Sequence, residues 1–472
     1  MIRVFGRPTT ACDGISRREL LQVGGLSLFP ALTLPRYLHA KQANGPHHNS
    51  SAKSVILINL FGGPPHQDMF DLKPNAPANV RGEFNPIDSS VTGVQVCELL
   101  PQTAQIMDRL TLIRTYSHKY NSHNPYNVLT GFDGGSDREN YFAKRSDHPS
   151  IGSVCQHLDM GPKDIPRYVV MPAYPGFSQA LRRAGPYGGY LGSQYDPLIT
   201  VCTPSFEKDK AGEFYKPVTP GGEPLLPSLD NLEGVTADRL NRRKTLLQQI
   251  DESVSSLENT RATKSMTKFQ EQVFSLLTST KTRSAFNLSL EKDSVRERFG
   301  RNLWGSSCLV ARRLVEAGST FVAVNWEDAN SGGHWDMHSN TFGMLRVHLP
   351  VLDQMVSALI LDLEERGLLD STLVVVMGEM GRTPRINGNS GRDHWPQCGF
   401  ALLAGGGVQK GIVIGKTDNQ AAYPTDRPVS AGDMAATIYQ LLGVNPQMLV
   451  HDLNGRPIPV SHGGKPVFEA IV

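Results

Sequence analysis

Short apolar runs that end abruptly in glycine and proline are the feature that most constrains the fold of this chain. The clearest is residues 54–61, SVILINLF, which the sequence GGPP follows directly. A run of that length without polar alternation is typical of a strand buried on both faces of a parallel sheet. Similar runs occur at residues 110–114, 168–171, 320–325, 372–377 and 400–403.

Helical patterns separate these runs, at about residues 98–109, 302–317, 340–366 and 430–443. Strands that alternate with helices predict an α/β fold, in which helices sandwich a mostly parallel sheet. The composition changes between about residues 203 and 300. This segment is Pro-rich at first and then has long, charged, helical patterns at residues 237–261, 264–280 and 288–299. We therefore expect one α/β domain over residues 44–472, with a helical insertion at about 203–300.

The first 43 residues hold most of the excess basic charge. They contain six Lys or Arg and two Asp or Glu, so residues 44–472 are slightly acidic although the whole chain has a net charge of +2. Arg17-Arg18 precedes a moderately apolar run at residues 20–34, with small residues near position 40. This pattern predicts a cleavable export signal of the twin-arginine type over residues 1–43. The alternative is an amphipathic helix with a chance arginine pair.

Export by the twin-arginine machinery would place the protein in the periplasm or at the cell surface. The apolar run is shorter than the ~20 residues of a membrane-spanning helix, and we expect no transmembrane span in the mature protein. With 39% hydrophobic and 19% charged residues, the chain is not a disordered polyelectrolyte. The sequence shows no basic patch, so we expect no nucleic-acid partner. The cysteines are scattered without a CxxC pair, which excludes a disulfide framework.

Residues able to bind metals follow the predicted strands. In α/β sheets, ligands bind where the carboxyl ends of the strands continue into loops. Imidazole and carboxylate groups together suit Zn or Mn better than Ca. The alternative for each histidine is an ordinary solvated loop residue. The candidates after the strands are His66, Asp68, His118, His123, His334, Asp336, His338, Glu379 and His394.

Two of these patterns are more specific than the rest. In His334-Trp335-Asp336-Met337-His338, three donors within five residues can converge on one ion. Glu379 follows the apolar run 372–377, where a carboxylate faces burial and requires a cation or hydrogen-bond donors.

The order of these motifs resembles the alkaline phosphatase-like superfamily, which includes sulfatases and phosphodiesterases. It looks closer still to a twin-arginine-exported, sulfatase-like bacterial family of unknown function. The matching segments are GGPPHQDMFD (62–71), SHKYNSHN (117–124), WDMH (335–338), GEMGRTP (378–384) and DHWP (393–396). The resemblance implies an alkaline phosphatase-like fold and hydrolysis of a sulfate or phosphate ester of a small molecule or a glycan.

The resemblance also implies roles for individual residues. Asp336 and His338 correspond to the superfamily's Asp…His metal pair, Glu379 stands where it usually has Asp, and His394 completes the site. Asp68 is the expected carboxylate after the first strand. Counting back from the Leu-Thr-Gly at residues 129–131 places the nucleophile at Asn121 or Ser122.

The chain departs from the sulfatase pattern at that nucleophile. No cysteine lies near position 121, so the formylglycine of sulfatases cannot form there, and the similar motif at residues 202–206 has Phe206 in place of arginine. Ser122 is then the candidate nucleophile, as a metal-activated alkoxide. His123 is a ligand or an acid–base residue, and His118 a second candidate proton shuttle.

Arg382 and Asn121 are the expected anion contacts, since a guanidinium binds sulfate or phosphate bidentately. The alternative for Arg382 is a surface ion pair. Two functions remain open from the sequence: an exported metal-dependent ester hydrolase, or an exported binding protein that has the same fold and site without turnover.

Overall fold

An eight-stranded sheet forms the centre of the protein, in a computed structural model that describes residues 50–134, 142–177, 181–203, 221–226, 279–327 and 335–472. Its strands, in chain order, are β1 Ser54–Leu60, β2 Leu110–Tyr116, β3 Tyr168–Met171, β4 Leu198–Ile199, β5 Phe321–Trp326, β6 Thr372–Met377, β7 Gly399–Ala404 and β8 Ile412–Ile414. The export signal predicted at residues 1–43 lies outside the described residues.

The strand order across the sheet is β8-β2-β7-β6-β1-β5-β3-β4. Every neighbouring pair is parallel except the two that involve β7, which is antiparallel to both β6 and β2. The prediction of a mostly parallel sheet is therefore confirmed. The reversal of β7 and the short edge strands β4 and β8 are details that the apolar pattern did not supply.

Both faces of the sheet are buried, which explains the continuous apolar runs. In β1, Ile56, Ile58 and Leu60 pack into one core, whereas Val55 and Leu57 pack into a second core on the opposite face. All seven residues of this strand are buried. Because side chains alternate along a strand, a strand covered on both sides is apolar at most positions, and the two polar residues of β1, Ser54 and Asn59, each donate a hydrogen bond.

Nine α-helices occur among the described residues: α1 Ala78–Arg81, α2 Pro101–Gln105, α3 Tyr126–Thr130, α4 Ile151–His157, α5 Thr280–Phe286, α6 Asp293–Phe299, α7 Leu303–Ala317, α8 Thr341–Glu365 and α9 Ala431–Leu441. The helices α7 and α8 contribute to the first core, and α4 and α9 to the second. Helices thus sandwich the sheet, as predicted.

The start and end of α7 follow from its sequence. The Asn302 side chain accepts hydrogen bonds from the N–H groups of Trp304 and Gly305, and the helix stops at Gly318, whose φ is 113°. The first contact satisfies amide groups that have no partner within the helix. The left-handed conformation at the end favours glycine, which has no Cβ to clash.

Helix α8 is long and apolar enough, by length and composition alone, to cross a membrane. However, 67% of its most apolar window is buried within the protein. That is the pattern of a core helix, and it agrees with the packing of α8 against α7.

Most of the predicted helical insertion lies outside the described residues. The helices predicted at 237–261 and over almost all of 264–280 fall there, whereas residues 288–299 contain a short 3₁₀ turn and α6. In the part of the chain that the structure describes, five two-stranded pairs accompany the main sheet: Pro86–Asp88 with Gln95–Cys97, Val201–Thr203 with Glu223–Leu225, Gly381–Arg382 with His394–Trp395, Lys416–Thr417 with Pro424–Asp426, and Leu449–His451 with Pro457–Pro459.

Candidate metal centre

Four candidate ligands converge at the edge of the sheet where the parallel strands end. The ligand atoms of His123, Asp336, His338 and His394 all lie within 4.8 Å of one another. His123 lies in the loop that follows β2, and His394 lies in the segment that leads into β7. The antiparallel direction of β7 brings that segment to the same edge, since this strand starts where its neighbours end.

Asp336 is at the centre of this cluster. Its Oδ2 is 3.2 Å from His123 Nε2, and its Oδ1 is 3.0 Å from His338 Nε2 and 3.4 Å from His394 Nε2. The two nitrogens His338 Nε2 and His394 Nε2 are 3.0 Å apart. All three histidines therefore present the same ring nitrogen to one small volume.

The outer ring nitrogen of each histidine faces an oxygen that accepts hydrogen bonds. His123 Nδ1 is 3.0 Å from Glu379 Oε1, His338 Nδ1 is 2.7 Å from Asp393 Oδ1, and His394 Nδ1 is 3.0 Å from Asn121 Oδ1. A carboxylate or amide oxygen accepts hydrogen bonds, so each of these contacts suits a ring that carries its proton on Nδ1, while Asp336 offers an acceptor to the Nε2 atoms. In a neutral ring with the proton on Nδ1, Nε2 has a lone pair that faces the cluster.

This arrangement fits a bound cation. Two lone pairs that face each other across 3.0 Å, at His338 and His394, repel unless a proton or a metal ion lies between them. Ligands about 2.1 Å from an ion are about 3.4 Å apart in tetrahedral geometry and about 3.0 Å apart in octahedral geometry. The three distances from Asp336 to the histidines and the distance between His338 and His394 fall in that range. Three imidazoles and one carboxylate are a donor set for a borderline divalent ion.

Charge coupling shows what holds the cluster together without a metal. Burial lowers the pKa of His123, but Asp336 and then Glu379 raise it, to about 9 overall. Burial raises the pKa of Asp336, but His123 and Arg382 outweigh that effect and hold it below its usual range. Burial lowers the pKa of His394 to about 4. A proton on His123 thus supplies the positive charge that a metal ion would replace.

Neighbouring residues fix the position of Asp336. The flanking Trp335 and Met337 are fully buried, and the Trp335 ring packs edge-on against Trp326 of β5, with centroids 5.3 Å apart. Alternating side chains thus anchor the segment in the core and leave Asp336 and His338 facing the cluster.

Arg382 has a different role from the anion contact that the sequence predicted. It is fully buried, and its Nη2 donates to Asp336 Oδ1 at 2.6 Å and to the Gly62 carbonyl oxygen. Its Nε donates to the Gly63 carbonyl at 2.8 Å, and its Nη1 to the Arg392 carbonyl at 3.1 Å. With four of five N–H groups engaged, Arg382 orients Asp336 rather than binding a substrate anion.

Glu379 lies next to the cluster rather than in it. Its side chain is fully buried, and Oε1 accepts the Gly62 N–H at 2.7 Å as well as His123 Nδ1–H. Its Oε2 has no hydrogen-bond partner among the described residues. The sequence predicted a metal ligand here, but the structure places Glu379 behind His123 as its hydrogen-bond acceptor.

His118 and Ser122, both predicted to be catalytic, occupy buried positions in the same loop. His118 Nδ1 accepts the Tyr120 N–H at 3.0 Å, and Nε2 contacts the Glu379 carbonyl oxygen at 2.6 Å. Burial lowers the pKa of His118 to about 4. With both nitrogens engaged, this ring has no site for proton transfer. The Ser122 hydroxyl contacts Asn124 Nδ2 at 3.4 Å.

Two other predicted ligands are not part of the cluster. Asp68 is buried against Arg392, whose Nε and Nη2 donate to its two oxygens at 2.7 and 2.8 Å. Both oxygens of the carboxylate accept hydrogen bonds in this bidentate ion pair, so Asp68 is not a ligand of the cluster, contrary to the prediction. His334 lies outside the described residues.

Two residues that matter at this site were not predicted from the sequence. Asp393 accepts from His338, and its position beside His394 in the segment DHWP was the available signal. Gly62 lies against Asp336: a Cβ at this position would be 2.4 Å from the Asp336 nitrogen. The signal for Gly62 was the paired glycine directly after a buried strand.

A protein-family model matches residues 52–471, and its description is a protein of unknown function, DUF1501. No curated protein matches the chain. The family match agrees with the predicted resemblance to a family of unknown function. Twin-arginine export remains a prediction.

Several solved structures are similar to this one at low sequence identity. The structure of Ps i-CgsB is 10% identical, with 87% of this chain and 74% of that chain covered and a TM-score of 0.39. The PsFucS1 sulfatase from Pseudoalteromonas sp. is 12% identical, covering 91% and 72%, with a TM-score of 0.37. A mutant of the TAB5 alkaline phosphatase is 10% identical, covering 84% and 99%, with a TM-score of 0.34.

Proposed function

This chain belongs to the DUF1501 family, described as a protein of unknown function, and we propose from its site that it is an exported, metal-dependent hydrolase of sulfate or phosphate esters. The observation that carries the proposal is the convergence of three Nε2 atoms and one carboxylate, all within 4.8 Å of one another. The proposed reaction is the one that the resemblance of the motifs to the alkaline phosphatase-like superfamily implies.

His123, Asp336, His338 and His394 would hold the metal ion, with Zn or Mn favoured over Ca because three of four donors are imidazoles. When bound, such an ion polarises an ester oxygen and lowers the pKa of a nucleophile. Arg382 keeps Asp336 aligned, and its buried hydrogen bonds prevent that carboxylate from rotating away.

Ser122 is the protein's own candidate nucleophile, because it lies between Asn121, which contacts His394, and His123. Its hydroxyl belongs to the loop that supplies both His123 and Asn121, the residue that contacts His394. Attack by a water molecule is the alternative within the same reaction class. The substrate class is the sulfate or phosphate ester of a small molecule or a glycan, since a divalent ion neutralises the anionic oxygens.

The test is turnover of 4-nitrophenyl sulfate and 4-nitrophenyl phosphate by protein reconstituted with Zn or Mn. We expect hydrolysis that His338→Ala abolishes and that Asp370→Asn, at a surface carboxylate 94% exposed, leaves unchanged. Loss of turnover in Ser122→Ala supports a serine nucleophile, whereas unchanged turnover supports attack by water. Absence of turnover of both esters, with Zn and with Mn, would contradict the hydrolase proposal.

Export is tested separately with residues 1–43 fused to a reporter that is active only when exported already folded. We expect Arg17→Lys/Arg18→Lys to block export of the fusion, because the arginine pair is the part of the signal that the twin-arginine machinery reads. Export that continues without the pair would contradict this route.

A non-catalytic exported binding protein is the second candidate. It is favoured by one observation: the hydrogen bond of the Ser122 hydroxyl is with Asn124, and no histidine among the described residues contacts that hydroxyl. Metal binding and retention of sulfated glycans without turnover would support this candidate over the hydrolase.

A further inference from the structure

We propose that Glu379, Asp393 and Asn121 form an outer ring that determines how tightly the site holds its metal, by fixing the proton of each histidine on Nδ1. The inference rests on the metal site of the proposed function. It adds three positioning residues that come from two different loops and the segment before β7, and it assigns Glu379 and Asn121 roles that the sequence did not predict. The ring is defined by its three contacts, at 3.0, 2.7 and 3.0 Å.

The Asp393 contact is held in place by a network of its own. Asn387 Nδ2 donates to Asp393 Oδ1 at 3.3 Å and to the His338 carbonyl at 2.9 Å. Asn387 Oδ1 accepts the N–H groups of Asn389 and Gly391, each at 2.9 Å. The Asn387 amide is therefore fixed on both sides, so Asp393 is oriented toward His338 although 53% of its side chain is exposed.

The Glu379 contact is the most enclosed of the three. Its Oε1 receives both the Gly62 N–H and the His123 N–H, so this oxygen has two donors at fixed positions. Because the side chain is fully buried, water cannot take the place of either donor. Removal of the negative charge here leaves the His123 N–H with a weaker acceptor.

The Asn121 contact differs from the other two because the acceptor is neutral. A carboxylate acceptor makes an imidazole a stronger electron donor to a metal, and an amide does so less. The site thus combines two histidines with anionic acceptors, His123 and His338, and one with a neutral acceptor, His394. We expect the two carboxylates to contribute more to metal affinity than the amide.

Outer residues of this kind change metal affinity by about 10–100-fold when they are replaced. We expect Asp393→Asn and Glu379→Gln, which keep an acceptor oxygen but remove the charge, each to weaken Zn²⁺ binding within that range. Asn121→Ala removes the acceptor and is expected to weaken binding by a smaller factor. Asn121→Asp supplies the missing charge and is expected to strengthen it.

The experiment measures the Zn²⁺ dissociation constant of the full-length, metal-stripped protein by competition with a chromophoric chelator. The visible absorption spectrum of the Co²⁺-loaded protein reports ligand geometry and is not altered by a loss of stability alone. Unfolding of the metal-free variants in urea monitors folding, and Asp370→Asn is the matched surface carboxylate control. None of these measurements depends on turnover.

The proposal predicts weaker Zn²⁺ binding and a changed Co²⁺ spectrum in Asp393→Asn and Glu379→Gln, with the spectrum of Asp370→Asn unchanged. Opposite shifts of affinity in Asn121→Ala and Asn121→Asp would add independent support. Zn²⁺ affinities equal to that of the parent protein in all four variants overturn the proposal, as does a parent protein that binds no Zn²⁺. If these affinities change as expected and no ester is hydrolysed, the outer ring stands and the hydrolase proposal fails.

Discussion

Glu379 Oε1 and His123 Nδ1 are 3.0 Å apart, although 256 residues separate them in the chain. The contact joins the loop that follows β2 to the loop that follows β6, and the Gly62 N–H on the same oxygen adds the loop that follows β1. Three strand ends thus meet at one carboxylate. A substitution in any of these three loops is therefore expected to displace the candidate ligands.

Gly62→Ala is expected to disrupt the centre. The φ angle of Gly62 is 111°, and a Cβ here would lie 2.4 Å from the Asp336 nitrogen and 2.7 Å from the Trp335 carbonyl carbon. The strained φ alone costs about 1–3 kcal/mol, and the overlap forces the Asp336 segment to move. Bound Zn per chain, measured after gel filtration, should fall well below that of the parent protein.

The matched control is Gly455→Ala, which also has a positive φ (74°) but no atom within 4 Å of the added Cβ. It should lose stability in urea without losing Zn. Equal Zn content in the two alanine variants would show that the close approach at Gly62 does not determine the site.

Arg382→Met is expected to lower the free energy of unfolding of the metal-free protein by about 3–5 kcal/mol, because it leaves the buried Asp336 without its cation. The guanidinium is fully buried, so solvent cannot compensate. The measurement is urea unfolding at neutral pH. Arg427→Met removes an exposed pair with Glu469 and should cost less than about 1 kcal/mol. Similar losses in both variants would contradict the role given to Arg382.

His66 should make the stability of the metal-free protein depend on pH. Burial lowers its pKa from 6.5 to about 4 in the folded protein, and its Nε2 contacts the Ala421 carbonyl oxygen at 2.7 Å. Between these values only the unfolded chain takes up the proton, so stability is lost as pH falls from about 6.5 to about 4 and regained as it rises. The slope is about 1.4 kcal/mol per pH unit from this residue.

The measurement is the free energy of unfolding in urea at several pH values from 7.5 to 4.5. His66→Gln should show a shallower fall toward low pH than the parent protein, and His451→Gln, at an exposed histidine, should not. An identical slope in His66→Gln would contradict a neutral, buried His66.

The sheet was predictable because its strands are buried on both faces. Tyr168–Met171 and Thr372–Met377 are bounded in the structure as the apolar runs predicted. The direction of β7 was not predictable, since residues 399–404 are as apolar as a parallel strand. Its reversal depends on pairing with β6 and β2, which no local pattern encodes.

Three members of the cluster were among the predicted ligands, but the roles of the residues around them were much less predictable. Asp336, His338 and His394 came from spacing and from loops that follow strands, and the structure brings them together. His123 lies in the cluster and Glu379 lies behind it as a hydrogen-bond acceptor, an arrangement that depends on contacts between distant loops. The ion pair of Asp68 also depends on a distant contact, since its partner Arg392 is 324 residues away in the chain.

The most direct test of the account is the metal content of protein that is exported and purified without chelators or metal-affinity steps. The account predicts about one equivalent or more of Zn or Mn per chain, lost in an Asp336→Ala/His338→Ala variant and kept in Asp370→Asn. A stably folded parent protein that contains no metal, and takes up neither Zn nor Mn when dialysed against them, would contradict it.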